Sequence, residues 1–156
     1  MKRRATAGFS LIELLVVIAI AGVLAAIAVP MTINATKSYR LSAAVASATG
    51  ALQSTRYAAI WHGYPYQITF TPSTNAYQVY SEVPPATTYS AVGTAIPISR
   101  LGDVTISRTV TYQLNPDGTV TETSSPPNMV FTISNTVGWS NTITVSKVGN
   151  VSVTTP

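Results

Sequence analysis

Residues 8–29 read GFSLIELLVVIAIAGVLAAIAV, an apolar run that carries a single charged side chain, Glu13. At a rise of roughly 1.5 Å per residue, the run from Phe9 to Val29 forms a helix of about 32 Å, close to the roughly 30 Å hydrocarbon core of a bilayer. The run therefore predicts a transmembrane helix. An ionised side chain in hydrocarbon costs several kcal/mol and is normally paired, neutralised or functional, so Glu13 needs an explanation.

The residues ahead of this run predict its orientation. Lys2, Arg3 and Arg4 are basic, and no acidic residue precedes Glu13. Under the positive-inside rule this end stays in the cytoplasm and the rest of the chain crosses the membrane. A secretory signal peptide is the alternative, although its apolar region spans only about 7–15 residues and it is cut after that region at a small-residue site. Alanines near Val29 offer such a site, so this alternative stays open.

The position of Glu13 has an ordinary explanation and a functional one. A carboxylate near the N-terminal end of a helix suits the helix dipole. However, Gly8-Phe9 followed four residues later by Glu13, behind a short basic leader, resembles the prepilin signal of type IV pilins and type II secretion pseudopilins. The resemblance implies that a membrane-bound prepilin peptidase cuts between Gly8 and Phe9 on the cytoplasmic side. It also implies that the peptidase methylates the new amine of Phe9 and that the apolar helix is retained.

Cleavage at this point would create a partner for the carboxylate. Gly8 gives a flexible approach to the scissile bond, free of a side chain, and the new ammonium on Phe9 would lie one helical turn from Glu13. The resemblance implies that Glu13 meets the terminal amine of a neighbouring subunit during assembly on an inner-membrane platform, with other pilins or pseudopilins as partners. An ion pair within one helix is the alternative.

The distribution of charge separates a basic leader, which sets the topology, from a remainder of the chain that is nearly neutral. The leader, residues 1–8, holds three of the nine basic residues and none of the five acidic ones, so the processed chain carries a net charge of +1. The positive net charge of the whole chain comes largely from the leader and is therefore no evidence for nucleic-acid binding. Cysteine is absent, which excludes disulfides, metal thiolates and a cysteine nucleophile.

The helix is predicted to continue beyond the apolar run. Pro30 lacks an amide donor and is predicted to kink or loosen it. Gly63, followed by Pro65, is predicted to end it. Between them the spacing of apolar residues predicts an amphipathic helix over residues 31–62. The apolar positions of this pattern are Ile33, Leu41, Ala44, Val45, Ala48 and Leu52, and Lys37, Arg40, Ser47 and Thr55 fall largely elsewhere.

From Tyr66 onward, segments rich in Thr, Val, Ser and Tyr alternate with Pro, Gly and Asn, which predicts an antiparallel sheet. Residues 115–118, Asn-Pro-Asp-Gly, predict a turn. Loops are predicted over 84–97 and 124–127. The predicted strands cover residues 66–71, 76–83, 104–114, 119–123, 129–135, 141–146 and 151–154.

Together these patterns predict an α+β fold with the pilin architecture, a long N-terminal helix packed on a C-terminal antiparallel sheet domain. The predicted divisions are a leader (1–8), a transmembrane and assembly helix (9–30), an amphipathic helix (31–62) and a β-rich periplasmic domain (63–156). The order of segments, and a closing hairpin around Gly149, resemble the GspH/FimT group of minor pseudopilins and minor pilins.

Some members of that group bind DNA in natural transformation through a closing motif in which Arg follows the Gly. Here Asn150 follows Gly149, and Lys147 is the only basic residue after Arg108. Little remains to neutralise phosphates, so nucleic acid is not an expected partner. Aromatic residues that could stack on bases are expected in the core or at an interface instead: Tyr57, Trp61, Tyr64 and Tyr66.

Catalysis is not predicted. His62 is the only histidine, and its place beside Gly63 is typical of a helix end. Asp117 lies in a predicted turn, and the other carboxylates after Glu13 are scattered: Glu82, Asp103 and Glu122. No metal-ligand spacing, phosphate loop or nucleophile motif is present, so neither cofactor nor metal is expected.

The sequence thus predicts a structural, minor subunit of a type II secretion pseudopilus or a type IV pilus. It would lie in the bacterial inner membrane, with its N-terminus cytoplasmic and its C-terminal domain periplasmic, before it enters the filament. Two alternatives remain, a DNA-binding minor pilin and a single-pass anchored domain that does not assemble.

Overall fold

The structure, a computed structural model, describes residues 9–99 and 102–155. Within these residues it contains one long helix followed by nine strands. The chain divides into two compact units, the first ending at Thr36 and the second beginning at Lys37, and the helix contributes residues to both. The elements are α1 (Leu11–His62), β1 (Tyr66–Thr71), β2 (Ala76–Ser81), β3 (Ser90–Pro97), β4 (Val104–Ile106), β5 (Val110–Leu114), β6 (Val120–Glu122), β7 (Val130–Asn135), β8 (Ser140–Val145) and β9 (Val151–Thr154).

The described part of the first unit is apolar helix. The most apolar stretch of α1 has a mean hydropathy of 2.8, and none of it is buried within the chain. By length and composition α1 is able to cross a membrane, and it lies near the N-terminus. Pro30 lies inside α1, and the helix continues through it. A kink at Pro30 stays a prediction.

The second unit buries one face of α1, as the amphipathic pattern predicted. Five of the six predicted apolar positions are buried, whereas Ile33 lies in the first unit and is 49% exposed. Thr55 was expected outside the apolar face and is buried instead. Its hydroxyl donates to the carbonyl of Ala51 at 2.7 Å, so the polar group is satisfied inside the helix and can enter the core. The buried residues of α1 are Leu41, Ala44, Val45, Ala48, Ala51, Leu52, Thr55 and Ala59.

The strands form two antiparallel sheets rather than the single sheet that the sequence suggested. The first has the order β3-β2-β1-β5-β6 and the second β4-β7-β8-β9. Side chains from both sheets enter one core, although every residue of β3 is exposed. There Phe70 of β1 stacks on Phe131 of β7 with ring centroids 4.8 Å apart. Two sheets and a helix that share one core confirm the predicted α+β class.

Two predicted segments were wrong. Residues 104–114 were expected as one strand, but β4 pairs with β7 in the second sheet and β5 pairs with β1 and β6 in the first. The chain breaks between them where the side chain of Arg108 bonds to the carbonyl of Val130 and to Glu122. Residues 84–97 were expected as a loop, but β3 occupies their second half and pairs with β2.

Other predicted elements are confirmed. Gly63 ends α1 with a φ of +74° and donates its amide to the carbonyl of Ala59 at 3.0 Å, which is the usual use of glycine at a helix C-terminus. The turn at residues 115–118 joins β5 to β6, with the amide of Gly118 donating to the carbonyl of Asn115 at 2.9 Å. The closing hairpin of β8 and β9 also forms as predicted.

Candidate functional site

The predicted processing and assembly site lies at the start of α1. Phe9 is 82% exposed and precedes the helix, which begins at Leu11. Glu13 lies in the first turn. Its amide donates to the hydroxyl of Ser10 at 3.3 Å and to the carbonyl of Ser10 at 3.1 Å. Ser10 therefore caps the N-terminal end of the helix, and Glu13 occupies the third helical position.

The capping role of Ser10 was not predicted. Ser10-Leu11-Ile12-Glu13 has the spacing of a capping box, in which a serine accepts from the amide three residues later and the acidic side chain reaches back. That spacing was visible without a structure. With Ser10 as the cap, the helix begins at Leu11, so that a new amine on Phe9 would lie close to the first turn.

The remaining residues of the predicted signal, Lys2, Arg3, Arg4 and Gly8, lie outside the described residues. Over 9–99 and 102–155, the ion pairs join Arg40 to Asp103 and Arg108 to Glu122, and neither involves Glu13. The carboxylate of Glu13 is exposed in the single chain. An ion pair with Phe9, within one chain or between two, stays a prediction.

Two threonines follow Pro30 in the first unit. The hydroxyl of Thr32 donates to the carbonyl of Ala28 at 2.9 Å, and that of Thr36 to the carbonyl of Thr32 at 2.8 Å. Because Pro30 has no amide hydrogen, the helix loses one backbone bond at this position. A threonine hydroxyl that donates to the carbonyl four residues earlier has its hydrogen-bonding capacity satisfied within the helix. Such bonds often bend a helix slightly.

The carboxylates that were considered for catalysis have structural partners. Asp103 accepts from Nη1 of Arg40 at 2.9 Å and from the hydroxyl of Ser99 at 2.9 Å. The bond from Arg40 lowers the pKa of Asp103. Asp117 accepts from the amide and the hydroxyl of Thr119 inside the turn, as its turn position predicted. The bond from the Thr119 hydroxyl is the main reason that the pKa of Asp117 lies below its ordinary value.

Glu122 is buried and carries the densest set of polar contacts in this group. It accepts from Nη2 of Arg108, from the hydroxyl of Ser124, and from the amides of Asn128 and Met129. Burial raises the pKa of its carboxyl group, but these four donors outweigh burial and lower the pKa overall. Nothing in the sequence signalled this pair, because Arg108 and Glu122 are 14 residues apart and belong to no common helix or turn.

Arg56 joins α1 to the tips of two hairpins. Its Nε donates to the carbonyl of Gly118 at 2.9 Å, and its Nη2 donates to the carbonyl of Val148 at 3.1 Å. Gly149 lies directly beneath it, since a Cβ there would come within 2.2 Å of Nε of Arg56. Arg56 therefore packs on the closing hairpin around Gly149, the segment that resembles the position of the DNA-binding motif, and bonds to its backbone carbonyl at Val148.

The four aromatic residues near the end of α1 do not share one environment. Tyr66 is buried, and burial raises the pKa of its hydroxyl to about 12, with a contribution from the bond it makes to Tyr64. His62 ends the helix as predicted, and its ring stacks on Tyr64 with centroids 5.5 Å apart. Tyr57 and Trp61, also expected in the core or at an interface, are 66% and 87% exposed. The core is therefore excluded for both.

Comparison with known proteins addresses the N-terminal segment. Residues 3–29 match the family profile described as the Prokaryotic N-terminal methylation motif. The match supports a type IV pilin-like protein. The match covers residues 3–8 of the leader, the predicted cleavage site, Glu13 and the apolar run. It implies processing by a prepilin peptidase and assembly with other pilins. No match was found among curated proteins or solved structures.

Proposed function

We propose that this chain is a structural, minor subunit of a type II secretion pseudopilus or a type IV pilus. It is made as a precursor, cut between Gly8 and Phe9 by a prepilin peptidase and methylated on Phe9. The processed chain resides in the inner membrane with its C-terminal domain in the periplasm, and the assembly platform then transfers it into the filament. The observation that carries this proposal is the methylation motif over residues 3–29.

The geometry of the described residues supports the same function. The apolar part of α1 has no buried side chain within the chain, so it needs lipid before assembly and apolar neighbours afterwards. Glu13 carries the single charge of this part, and neither ion pair of the described residues involves its carboxylate. A terminal ammonium on the Phe9 of a neighbouring subunit supplies that partner and fixes the register between the two helices.

The order of elements adds support for the GspH/FimT group, which is the finer part of the proposal. A helix followed by antiparallel strands ends in a hairpin around Gly149. DNA binding is not part of the proposal. Lys147 is the one basic residue after Arg108, and Arg56, which lies over the hairpin, already bonds to two carbonyls.

Mass spectrometry of the full chain extracted from membranes tests this function. We expect a polypeptide that has lost residues 1–8 and carries one methyl group on the amine of Phe9. Gly8→Leu should leave the uncut precursor, because a bulky side chain next to the scissile bond obstructs the peptidase, whereas Ala7→Ser should be cut normally. A chain that begins at Met1, or one cut beyond residue 29, would refute the proposal.

A further inference from the structure

A recess lies between α1 and the turn that joins β7 to β8. Its volume is about 310 Å³, at the lower end of the roughly 300–1,000 Å³ that is typical of small-molecule sites. The whole recess belongs to the second unit of the chain. Residues from two elements line it: Ser38, Leu41 and Ser42 of α1, and Trp139, Ser140 and Asn141 of the turn and the start of β8. We call it the β7–β8 recess.

The turn that carries Trp139 is held in place by Asn135, the last residue of β7. Oδ1 of Asn135 accepts from the amides of Val137 and Trp139, each at 3.0 Å. The amide of Asn135 donates to the carbonyl of Trp139 at 2.9 Å. The backbone of Trp139 is thus fixed in the single chain, while its side chain stays 43% exposed. The indole is a preorganised surface beside the recess, which lowers the ordering cost of binding.

The polar side chains of the recess have hydrogen-bonding capacity to spare. Other hydroxyls of α1 donate to carbonyls three or four residues earlier, as those of Thr49 and Ser54 do. Among the hydrogen bonds of residues 9–99 and 102–155, none involves the side chain of Ser38, Ser42 or Asn141. Each hydroxyl can donate and accept, and the amide offers two donors and an acceptor. A ligand rich in hydroxyl groups finds matching partners here.

The lining of the recess restricts the chemistry of the ligand. No described residue of the lining is charged, and Arg40, which lies between Ser38 and Ser42 in sequence, is paired with Asp103 at 2.9 Å. A charged ligand would therefore lose its hydration without gaining a counter-charge. A wholly apolar ligand would cover the serine and asparagine groups and leave them unsatisfied, at about 1–3 kcal/mol each. The ligand that fits is uncharged, with an apolar face and a polar rim.

We propose that the β7–β8 recess binds one unit of an uncharged saccharide. A pyranose ring has C–H groups on its face and hydroxyl groups around its edge. The face packs on the indole of Trp139, whose large apolar surface suits it, and the edge bonds to Ser38, Ser42 and Asn141. This site is separate from the processing and assembly residues Phe9 and Glu13, so the inference does not rest on the proposed function. It gives the C-terminal domain a recognition role in addition to its structural one.

Tryptophan fluorescence tests the proposal on the full chain. The chain contains two tryptophans, so Trp61→Phe leaves Trp139 as the reporter. The protein is held in lauryldimethylamine oxide, a detergent without a sugar headgroup, and titrated with cellobiose, lactose and N,N′-diacetylchitobiose. We expect a saturable shift of the Trp139 emission with at least one of these neutral disaccharides. Digalacturonic acid, which carries carboxylates, should cause no shift.

Loss of the serine hydroxyls provides a second measurement in the same Trp61→Phe background. Ser38→Ala combined with Ser42→Ala keeps the helix, because alanine is the best helix former. The affinity for the disaccharide should fall by about tenfold or more, as expected for the loss of two hydrogen bonds. Ser47→Ala is the matched control, since Ser47 also lies in α1 but does not line the recess. This control should leave the affinity unchanged.

The asparagine of the recess has a matched control of its own. Asn141→Ala should weaken binding by about fivefold, since it removes an amide that bonds to the edge of the sugar ring. Asn150→Ala changes an asparagine outside the recess, between β8 and β9, and should have no effect.

The outcomes separate this inference from the proposed function. If the chain is cut at Gly8 and enters the filament but none of the three neutral disaccharides shifts the Trp139 emission, the inference is wrong and the proposed function stands. Equal affinities of the double serine variant and Ser47→Ala also overturn the inference, as does tighter binding of digalacturonic acid. If the chain binds a neutral disaccharide but keeps residues 1–8, the proposed function fails and the inference stands.

Discussion

At the scale of single residues, Glu122 shows how a carboxylate can be held ionised inside a small domain. Its side chain is fully buried, yet it faces Arg108 and three further donors. These contacts lower its pKa below the 4.5 of an unperturbed glutamate. A carboxyl group whose pKa is lower in the folded state stabilises the fold above its unfolded-state pKa, and this stabilisation is lost as the pH falls through the folded-state pKa.

The first prediction concerns this carboxylate. Glu122→Gln should destabilise the full chain in detergent by about 3 kcal/mol at neutral pH, because Arg108 is left without its counter-charge. Thermal unfolding followed by circular dichroism measures the effect. The wild type should lose stability as the pH falls below about 4.5, and the variant should lose less over the same range. Parallel pH profiles for the two proteins would contradict this account.

Gly149 is the second residue whose identity the structure explains. Its φ is +80°, a backbone conformation that costs other residues roughly 1–2 kcal/mol. A Cβ would also meet Nε of Arg56 at 2.2 Å. Gly149→Ala should therefore destabilise the full chain by about 3 kcal/mol, through backbone strain and the displacement of Arg56 from its two carbonyls.

A double-mutant cycle separates these two causes. In an Arg56→Ala background, the cost of Gly149→Ala should fall to about 1–2 kcal/mol, because only the backbone strain remains. Gly138 is the matched control, since its φ is +92° and a Cβ there would meet nothing within 4 Å. Denaturant unfolding should show a Gly138→Ala cost that does not depend on Arg56. Equal costs for Gly149→Ala in both backgrounds would refute the role of Arg56.

At the scale of elements, α1 contains a glycine that the single chain does not require. Gly50 lies inside the helix, has no positive φ, and an added Cβ would meet nothing within 4 Å. Gly50→Ala should thus stabilise the full chain by about 1 kcal/mol through helix propensity. Gly63→Ala should destabilise it, because Gly63 ends the helix with a φ of +74°. Thermal unfolding of the two variants should show opposite shifts, and shifts of the same sign would count against this reading of α1.

The strands show which elements a local pattern could predict. β1 and β9 have the bounds that alternation and flanking turn residues predicted, and each pairs with a neighbour in sequence, β2 and β8, through a short connection. β3 was missed, since Pro84, Pro85 and Gly93 are typical of a loop. The pairing of β3 with β2 is a contact between two segments, and no pattern within residues 84–97 predicts it. The break between β4 and β5 also coincides with contacts to other segments, which Arg108 makes with Val130 and Glu122.

At the scale of the whole molecule, Glu13 is predicted to act in assembly rather than in folding or membrane insertion. Glu13→Val should leave the chain in the membrane fraction and still cut at Gly8, because the apolar helix becomes more apolar. Its recovery in the sheared filament fraction should fall, since the terminal amine of a neighbour loses its partner. Glu13→Asp keeps the charge and should retain more assembly than the valine variant. Normal recovery of Glu13→Val would argue against the role.

By itself, the sequence determined the apolar helix, its amphipathic continuation, the stop at Gly63 and the motif at residues 3–29. These features depend on residues that are close in the chain, where spacing and turn chemistry act directly. The tertiary structure alone decided the split into two sheets, the bonds of Arg56 to two hairpin tips, the burial of Glu122 against Arg108 and the exposure of Trp61. Each of these depends on which distant segments meet across the core, and no local pattern encodes that choice.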